Sequence, residues 1–167
     1  MAVHKYLAQY PPELQQRVAS LVDENRLAGF LLNRYPAVHE INNDQRLRDY
    51  VFLLKNEFMK KSSPLSKVVY DSKIHVVNNA LGLHRYVPRV QGNKVKTKNE
   101  IRISAIFKKA PEAFLKMIAV HELAHLKEKS HDKAFYRLCT HMLPDYHQLE
   151  FDVRVYLIHL ELHGELY

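Results

Sequence analysis

Residues 121–125 read HELAH and lie within the stretch KMIAVHELAHLKEKSH, residues 116–131. On a helix each residue turns about 100°, so His121 and His125 are offset by about 40° and lie one turn apart. Both imidazoles can then reach one metal ion, and Glu122 flanks the same face, where it can hold a water molecule. The spacing therefore predicts a metal-binding helix that carries an acid-base residue; the alternative is a hydrogen-bonded core cluster without a metal.

A near copy of this motif shows how little the histidine spacing means alone. Residues 159–163 read HLELH and repeat the interval between the two histidines. The acid of this copy, Glu161, follows His159 by two residues and lies about 200° away round a helix. No carboxylate of that helix would face a metal ion, so we interpret His159 and His163 as ordinary histidines of a terminal helix.

A catalytic zinc site normally has three protein ligands and one open position for water. His131 is the preferred third ligand, because it follows His125 by six residues and lies in a turn that can fold back towards the pair. Glu150 is the second candidate. Cys139 could close a structural site as a fourth ligand, but a small core residue is the more ordinary role for a free cysteine.

The rest of the chain has the pattern of an α+β domain. Apolar residues at helical spacing predict two N-terminal helices, and β-branched runs then predict a small antiparallel sheet. This sheet includes a hairpin that turns at Gly92-Asn93, and Pro88 argues that its first arm is an edge strand. Three helical segments follow, of which the HELAH segment is the first. We expect a single domain, residues 1–167, made of a helical part (1–63), a sheet (64–110) and a metal-binding helical part (111–167).

Positive charge is concentrated in the predicted sheet. The net charge of the whole chain is +7, whereas residues 64–110 contain 10 Lys and Arg against 2 Asp and Glu, a net charge of +8. A focused basic surface attracts anions such as phosphates or nucleic acid, although lysines also protect the edges of sheets. The segment 85–109 is therefore a candidate contact for an anionic substrate or for nucleic acid.

The composition is that of a globular protein, with 47% hydrophobic and 26% charged residues. The single cysteine excludes an intrachain disulfide and fits a reducing compartment. We see neither a signal peptide at the N-terminus nor a membrane-spanning apolar run, so we expect a cytoplasmic protein without a membrane partner.

The stretch VHELAHLKEKSHDKAFY, residues 120–136, resembles the YgjP-like metallopeptidase-domain family, which is related to the SprT-like and WLM-type zincins. In these families an H-E-L-x-H helix is followed by an H-x-x-x-F segment that supplies a third histidine, and this segment maps onto His131 and Phe135. The resemblance implies a zincin-like fold and one Zn²⁺ per chain on His121, His125 and His131. Many members carry R-W-G-S-C before the helix; this chain has no tryptophan and reads RVQGNKVK there.

The leading functional hypothesis is a zinc-dependent metallopeptidase. Glu122 would act as the general base, taking a proton from the water on the zinc and returning it to the leaving group. An extended peptide could pair with a sheet edge near Ile101–Ala105. The candidate substrate-binding residues are Arg85, Arg89, Arg102 and Tyr136.

Two alternatives remain open. UTP pyrophosphatase activity is associated with YgjP-type proteins, so the resemblance also implies a nucleoside-triphosphate pyrophosphatase, in which the basic segment holds the triphosphate and Mg²⁺ bridges its oxygens. The third hypothesis is a nucleic-acid-binding module with a structural metal.

Overall fold

The computed structural model describes residues 2–74, 82–91 and 94–167. Within these ranges, residues 82–91 and 94–98 are described by their backbone only. Helices precede and follow a small sheet, as the sequence predicts. In chain order the elements are α1 (Ala2–Leu7), α2 (Pro12–Asp23), α3 (Leu27–Arg34), α4 (Asp44–Phe58), β1 (Leu65–Asp71), β2 (Gly82–Gln91), β3 (Lys94–Ser104), a 3₁₀ helix (Ala105–Lys109), α5 (Glu112–Ala124), α6 (Lys133–Met142) and α7 (Tyr146–His163).

The N-terminal part contains four helices, so the expectation of two is wrong. The first predicted helix is divided into α2 and α3, because Asn25 adopts a left-handed conformation with φ of 54°. Asparagine tolerates this conformation better than most residues, and it interrupts the helical hydrogen bonds. α4 begins after its cap Asn43, whose side chain accepts a hydrogen bond from the Arg46 backbone N–H at 2.8 Å.

The three strands are arranged in the order β1-β3-β2. β1 runs parallel to β3, with Val68 opposite Ile101, whereas β2 runs antiparallel to β3. The expectation of an antiparallel sheet is therefore wrong for β1 and holds only for the β2–β3 pair. Parallel neighbours need a crossover connection, and the polar and apolar pattern of a strand does not reveal its direction.

β3 is the central strand, and this overturns the expected docking edge at Ile101–Ala105. Ile101 and Ile103 are fully buried, and the backbone from Asn99 to Ile103 pairs with neighbours on both sides. No peptide can add a strand there. Pro88 lies in β2, an outer strand, as predicted. Gly92 and Asn93, the predicted hairpin turn, lie outside the described residues.

The HELAH motif belongs to α5, which packs against α6, α7 and the sheet. Most of α5 is buried, including Leu115, Ile118 and Ala119. Such a helix holds its side chains in fixed positions, because close packing restricts their rotamers. No helix in the described part of the chain is both long and apolar enough to cross a membrane.

Candidate metal centre

Three histidine side chains converge at the end of α5. The Nε2 atom of His125 lies 3.3 Å from that of His121 and 3.0 Å from that of His131, and the third side of this triangle measures 3.3 Å. Zinc–nitrogen bonds of about 2.0–2.1 Å in a tetrahedron place neighbouring nitrogens about 3.3 Å apart. The triad therefore matches three corners of a tetrahedral zinc site, and these residues could hold a metal ion.

Local structure explains how the three side chains meet. His121 lies in the last turn of α5, and His125 directly follows the helix. The chain then turns, and α6 begins at its cap Asp132, whose side chain accepts a hydrogen bond from the Phe135 backbone N–H at 3.0 Å. This cap fixes the start of α6 and so places His131 opposite the helical pair.

Hydrogen bonds to the other ring nitrogens orient two of the histidines. The Nδ1 of His121 lies 2.7 Å from the hydroxyl of Tyr146, and the Nδ1 of His125 lies 3.0 Å from the backbone carbonyl of Glu128. The carbonyl can only accept, so the Nδ1 of His125 donates to it, and Nε2 is the nitrogen that remains for a metal. Metal-ligating histidines commonly have such partners, which fix the tautomer and the ring orientation.

Tyr146 is a site residue that sequence reasoning missed. It is fully buried, and burial, followed by the negative charge of Glu150, raises the pKa of its hydroxyl. Glu150 in turn lies 3.6 Å from the guanidinium of Arg154. Pro144 indicates that a helix begins near Tyr146, but nothing in the local sequence connects that helix with His121.

The ring of Phe135 forms an apolar support beneath the triad. Its centroid lies 4.9 Å from that of His121, 4.6 Å from that of His125 and 5.0 Å from that of His131. Phe135 is itself fully buried. This packing gives a physical reason for the phenylalanine of the H-x-x-x-F pattern, because the ring limits the movement of all three imidazoles.

The charge state of the triad suits a cation. Burial, reinforced by the charges that His125 and His131 would carry, lowers the pKa of His121 to about 3. His121 is therefore neutral near pH 7, the form that ligates metals. The three Nε2 atoms converge at 3.0–3.3 Å, and an electron-pair acceptor is the natural partner for nitrogen lone pairs brought together in this way. A divalent ion supplies that partner, so the residues present fit a metal.

Glu122 lies beside the triad without belonging to its group of ligand atoms. Only 3% of the residue is exposed, and burial raises the pKa of its carboxyl to about 8. A nearby cation would lower that pKa again by favouring the carboxylate. A carboxyl group tuned near neutral pH can both accept and return a proton.

The other ligand candidates have different roles. Glu150 pairs with Arg154, as described above. Cys139 is fully buried, and burial raises the pKa of its thiol to about 12, so it stays protonated, as fits the predicted core residue. Neither belongs to the ligand group found among the described residues. Tyr136 borders the site, with its ring centroid 6.5 Å from that of His131.

The structure describes the side chain of one of the predicted substrate arginines, Arg102. Arg102 lies 3.3 Å from a carboxylate oxygen of Asp71 and 3.5 Å from one of Glu100, so its charge is locally balanced. Its role in the structure is to link β1 with β3. The side chains of Arg85 and Arg89 lie outside the described residues.

Comparisons with known proteins agree with this geometry. Residues 92–153 match the family model described as "YgjP-like, metallopeptidase domain". A curated protein of Escherichia coli (strain K12) named UTP pyrophosphatase is 55% identical over 157 residues, which cover 94% of this chain and 94% of that protein. No solved structure gave a significant match. The chain therefore belongs to the YgjP-like metallopeptidase-domain family.

Proposed function

We propose that this protein is a metal-dependent hydrolase that cleaves a nucleoside triphosphate, with UTP as the first candidate, into the monophosphate and pyrophosphate. The hydrolase class rests on the convergent histidine triad with the buried Glu122 beside it. The observation that carries the choice of a nucleotide is the UTP pyrophosphatase that is 55% identical over 94% of both chains.

His121, His125 and His131 would hold the metal ion through their Nε2 atoms. When bound, a divalent ion supplies a Lewis acid that makes water reactive near neutral pH and stabilises charge that develops on a substrate oxygen. Three imidazoles favour zinc over magnesium, which prefers oxygen ligands. Magnesium would arrive with the substrate, bound to its phosphate oxygens.

Glu122 would move the proton. Its carboxylate accepts a proton from the attacking water and then delivers that proton to the oxygen of the departing pyrophosphate. Its burial favours this role, because a raised pKa makes the carboxylate a stronger base towards the attacking water, and burial separates the bound proton from bulk solvent. Tyr146 and the Glu128 carbonyl keep two of the imidazoles in place during the reaction.

Charge complementarity supports an anionic substrate. Residues 64–110 carry a net charge of +8, and a triphosphate is strongly negative. We assign the phosphate contacts to Arg85 and Arg89 before Arg102, because the latter is already paired with two carboxylates. Tyr136 remains a candidate contact at the edge of the triad.

Peptide hydrolysis is the second candidate function. The H-E-x-x-H helix with a third histidine and a buried glutamate is the arrangement that metallopeptidases use, and the matching family model is described as a metallopeptidase domain. A peptide that adds a strand would have to use β1 or β2, since β3 is central. The nucleic-acid hypothesis stays a prediction, and a strong salt dependence of binding would support it.

One experiment tests the proposal. The zinc-loaded chain is incubated with UTP and Mg²⁺, with UMP and pyrophosphate as the measured products, and in parallel with an unstructured protein substrate. We expect UTP turnover that is lost in Glu122→Gln. Proteolysis that depends on Glu122, without UTP turnover, would replace the proposal with the second candidate.

A further inference from the structure

A cleft of about 770 Å³ lies between α2, α3 and the start of α7, outside the histidine triad. Its walls are largely aromatic and aliphatic, and Tyr10, Phe30 and Phe151 supply the aromatic rings. Tyr10 and Phe151 pack edge to face with centroids 5.1 Å apart. The volume is in the range of small-molecule sites, about 300–1,000 Å³. Apolar walls with a few polar groups are also typical of such sites.

Arginines give this cleft a positive character. Arg26 pairs with Glu24 at 2.8 Å, and Arg34 pairs with Asp152 at 3.5 Å. Arg17 also lines the cleft and is exposed, and within the described part of the chain it makes no ion pair or hydrogen bond. The cleft thus combines flat aromatic surfaces with an arginine that can receive an anion.

The cleft adjoins the metal centre. His147 lines the cleft, and its ring centroid lies 5.4 Å from that of Tyr136, which in turn lies 6.5 Å from His131. Two ring contacts, those of Tyr136 with His147 and with His131, therefore connect the cleft with the triad.

We propose that this cleft binds the base and ribose of the nucleoside triphosphate, with the base against Phe30 and the aromatic pair Tyr10 and Phe151, and with Arg17 facing the phosphates. The proposal rests on the proposed function and extends it by naming where the nucleoside is bound. Every nucleobase has a flat face that stacks on aromatic side chains, and arginine adds attraction for phosphate. The phosphates would then extend past Tyr136 to the triad.

The test uses the full-length, zinc-loaded chain with two variants of the cleft, Arg17→Gln and Phe30→Leu. Matched controls come from α4, which also carries a phenylalanine in contact with an arginine. The Arg48 guanidinium lies 4.7 Å from the Phe52 ring centroid, and the Arg34 guanidinium lies 5.5 Å from the Phe30 ring centroid. Arg48→Gln and Phe52→Leu thus remove an exposed arginine and a half-buried phenylalanine elsewhere on the surface.

Two measurements distinguish nucleoside binding from catalysis. Hydrolysis kinetics compare UTP with inorganic triphosphate, which has no nucleoside. A ligand-observed NMR titration measures the affinity for UMP without any turnover. For each cleft variant we expect the KM for UTP and the dissociation constant for UMP to rise about tenfold, the effect of losing one stacking or charged contact. Phe30→Leu and both control variants should leave the hydrolysis of inorganic triphosphate unchanged.

The outcomes separate the two proposals. If the wild type hydrolyses UTP but the cleft variants match the controls for UTP and UMP, the cleft proposal is wrong while the proposed function stands. If the wild type hydrolyses no UTP, the proposed function fails, and UMP affinity that depends on Arg17 and Phe30 would still assign the cleft to a nucleotide. If Phe30→Leu raises the KM for a protein substrate and the chain does not bind UMP, the cleft proposal is wrong, and the cleft instead binds an apolar side chain of a protein substrate.

Discussion

Replacing Tyr146 with phenylalanine should weaken metal binding without disturbing the fold. The Tyr146 hydroxyl lies 2.7 Å from the Nδ1 of His121 in a fully buried position, and phenylalanine removes only that oxygen. A buried donor left without a partner costs about 1–3 kcal/mol. Loss of such a partner typically lowers metal affinity about 10- to 100-fold, equivalent to about 1.4–2.7 kcal/mol. The two magnitudes agree, so we expect the zinc affinity of Tyr146→Phe to fall by this factor.

The assay is a competition titration of zinc between the chain and a chromophoric chelator. Tyr35→Phe is the matched control, because it also removes a tyrosine hydroxyl that hydrogen-bonds to a side chain of another helix, in this case Asp152 of α7, away from the triad. The control should lower the stability of the chain and leave zinc affinity unchanged. Zinc affinity of Tyr146→Phe within twofold of the wild type, or an equal loss in both variants, would refute the positioning role of this hydroxyl.

The remaining predictions concern the triad and its surroundings. Glu122→Gln should retain zinc, while the hydrolysis rate falls about 10²- to 10⁴-fold, because the proton carrier is lost. Elemental analysis measures the zinc and kinetics measure the rate. Loss of zinc from this variant would place Glu122 on the metal. His131→Ala should fold normally, since His131 is exposed, but bind zinc at least 100-fold more weakly, with two ligands left in place of three. Cys139→Ala should keep its full zinc content, and zinc loss would instead support a structural site. In the metal-free chain the pKa of His121 is lowered to about 3, so at this site the unfolded chain binds more protons than the folded chain between pH 6.5 and 3. The raised pKa of Glu122 has the opposite effect between pH 8 and 4.5. The free energy of unfolding measured in urea should therefore fall most clearly as the pH is lowered from 4.5 to 3, and less steeply in His121→Ala.

The histidine triad could be predicted because its spacing is local. His121 and His125 are one helical turn apart, and His131 lies in the next turn of the chain, before a recognisable cap at Asp132. Short-range geometry therefore determines how these side chains meet. The caps of α4 and α6 are equally local, because the side chains of Asn43 and Asp132 each accept a hydrogen bond from a backbone N–H three residues later.

Features that depend on distant residues could not be predicted in this way. Alternation along β1 shows which side chains are buried, but not whether its partner β3 runs parallel to it. Tyr146 reaches His121 from the start of α7, and neither sequence neighbourhood refers to the other. The interruption at Asn25 depends on a single residue in a left-handed conformation, within a stretch of helical periodicity. In each case tertiary packing selects among conformations that the local sequence permits.

The two histidine pairs of the chain show what makes such a spacing into a site. The ring centroids of His121 and His125 are 4.9 Å apart, and those of His159 and His163 are 5.2 Å apart, so the pairs have almost the same spacing, although their rings are inclined at 77° and 41°. The second pair belongs to no three-ligand group among the described residues, and its acid Glu161 accepts a hydrogen bond from Lys5 at 3.0 Å.

His159 is 5% exposed, and its Nδ1 is buried without a hydrogen-bond partner within the described part of the chain, whereas Tyr146 orients His121. An imidazole that no hydrogen bond orients loses rotamer freedom when it binds a metal, which lowers its metal affinity. Two protein ligands also bind a metal ion less tightly than three. The triad should thus bind one zinc ion per chain under conditions in which the second pair binds none. If the wild type binds two zinc ions per chain and His159→Ala binds one, the spacing of two histidines is by itself sufficient for zinc binding.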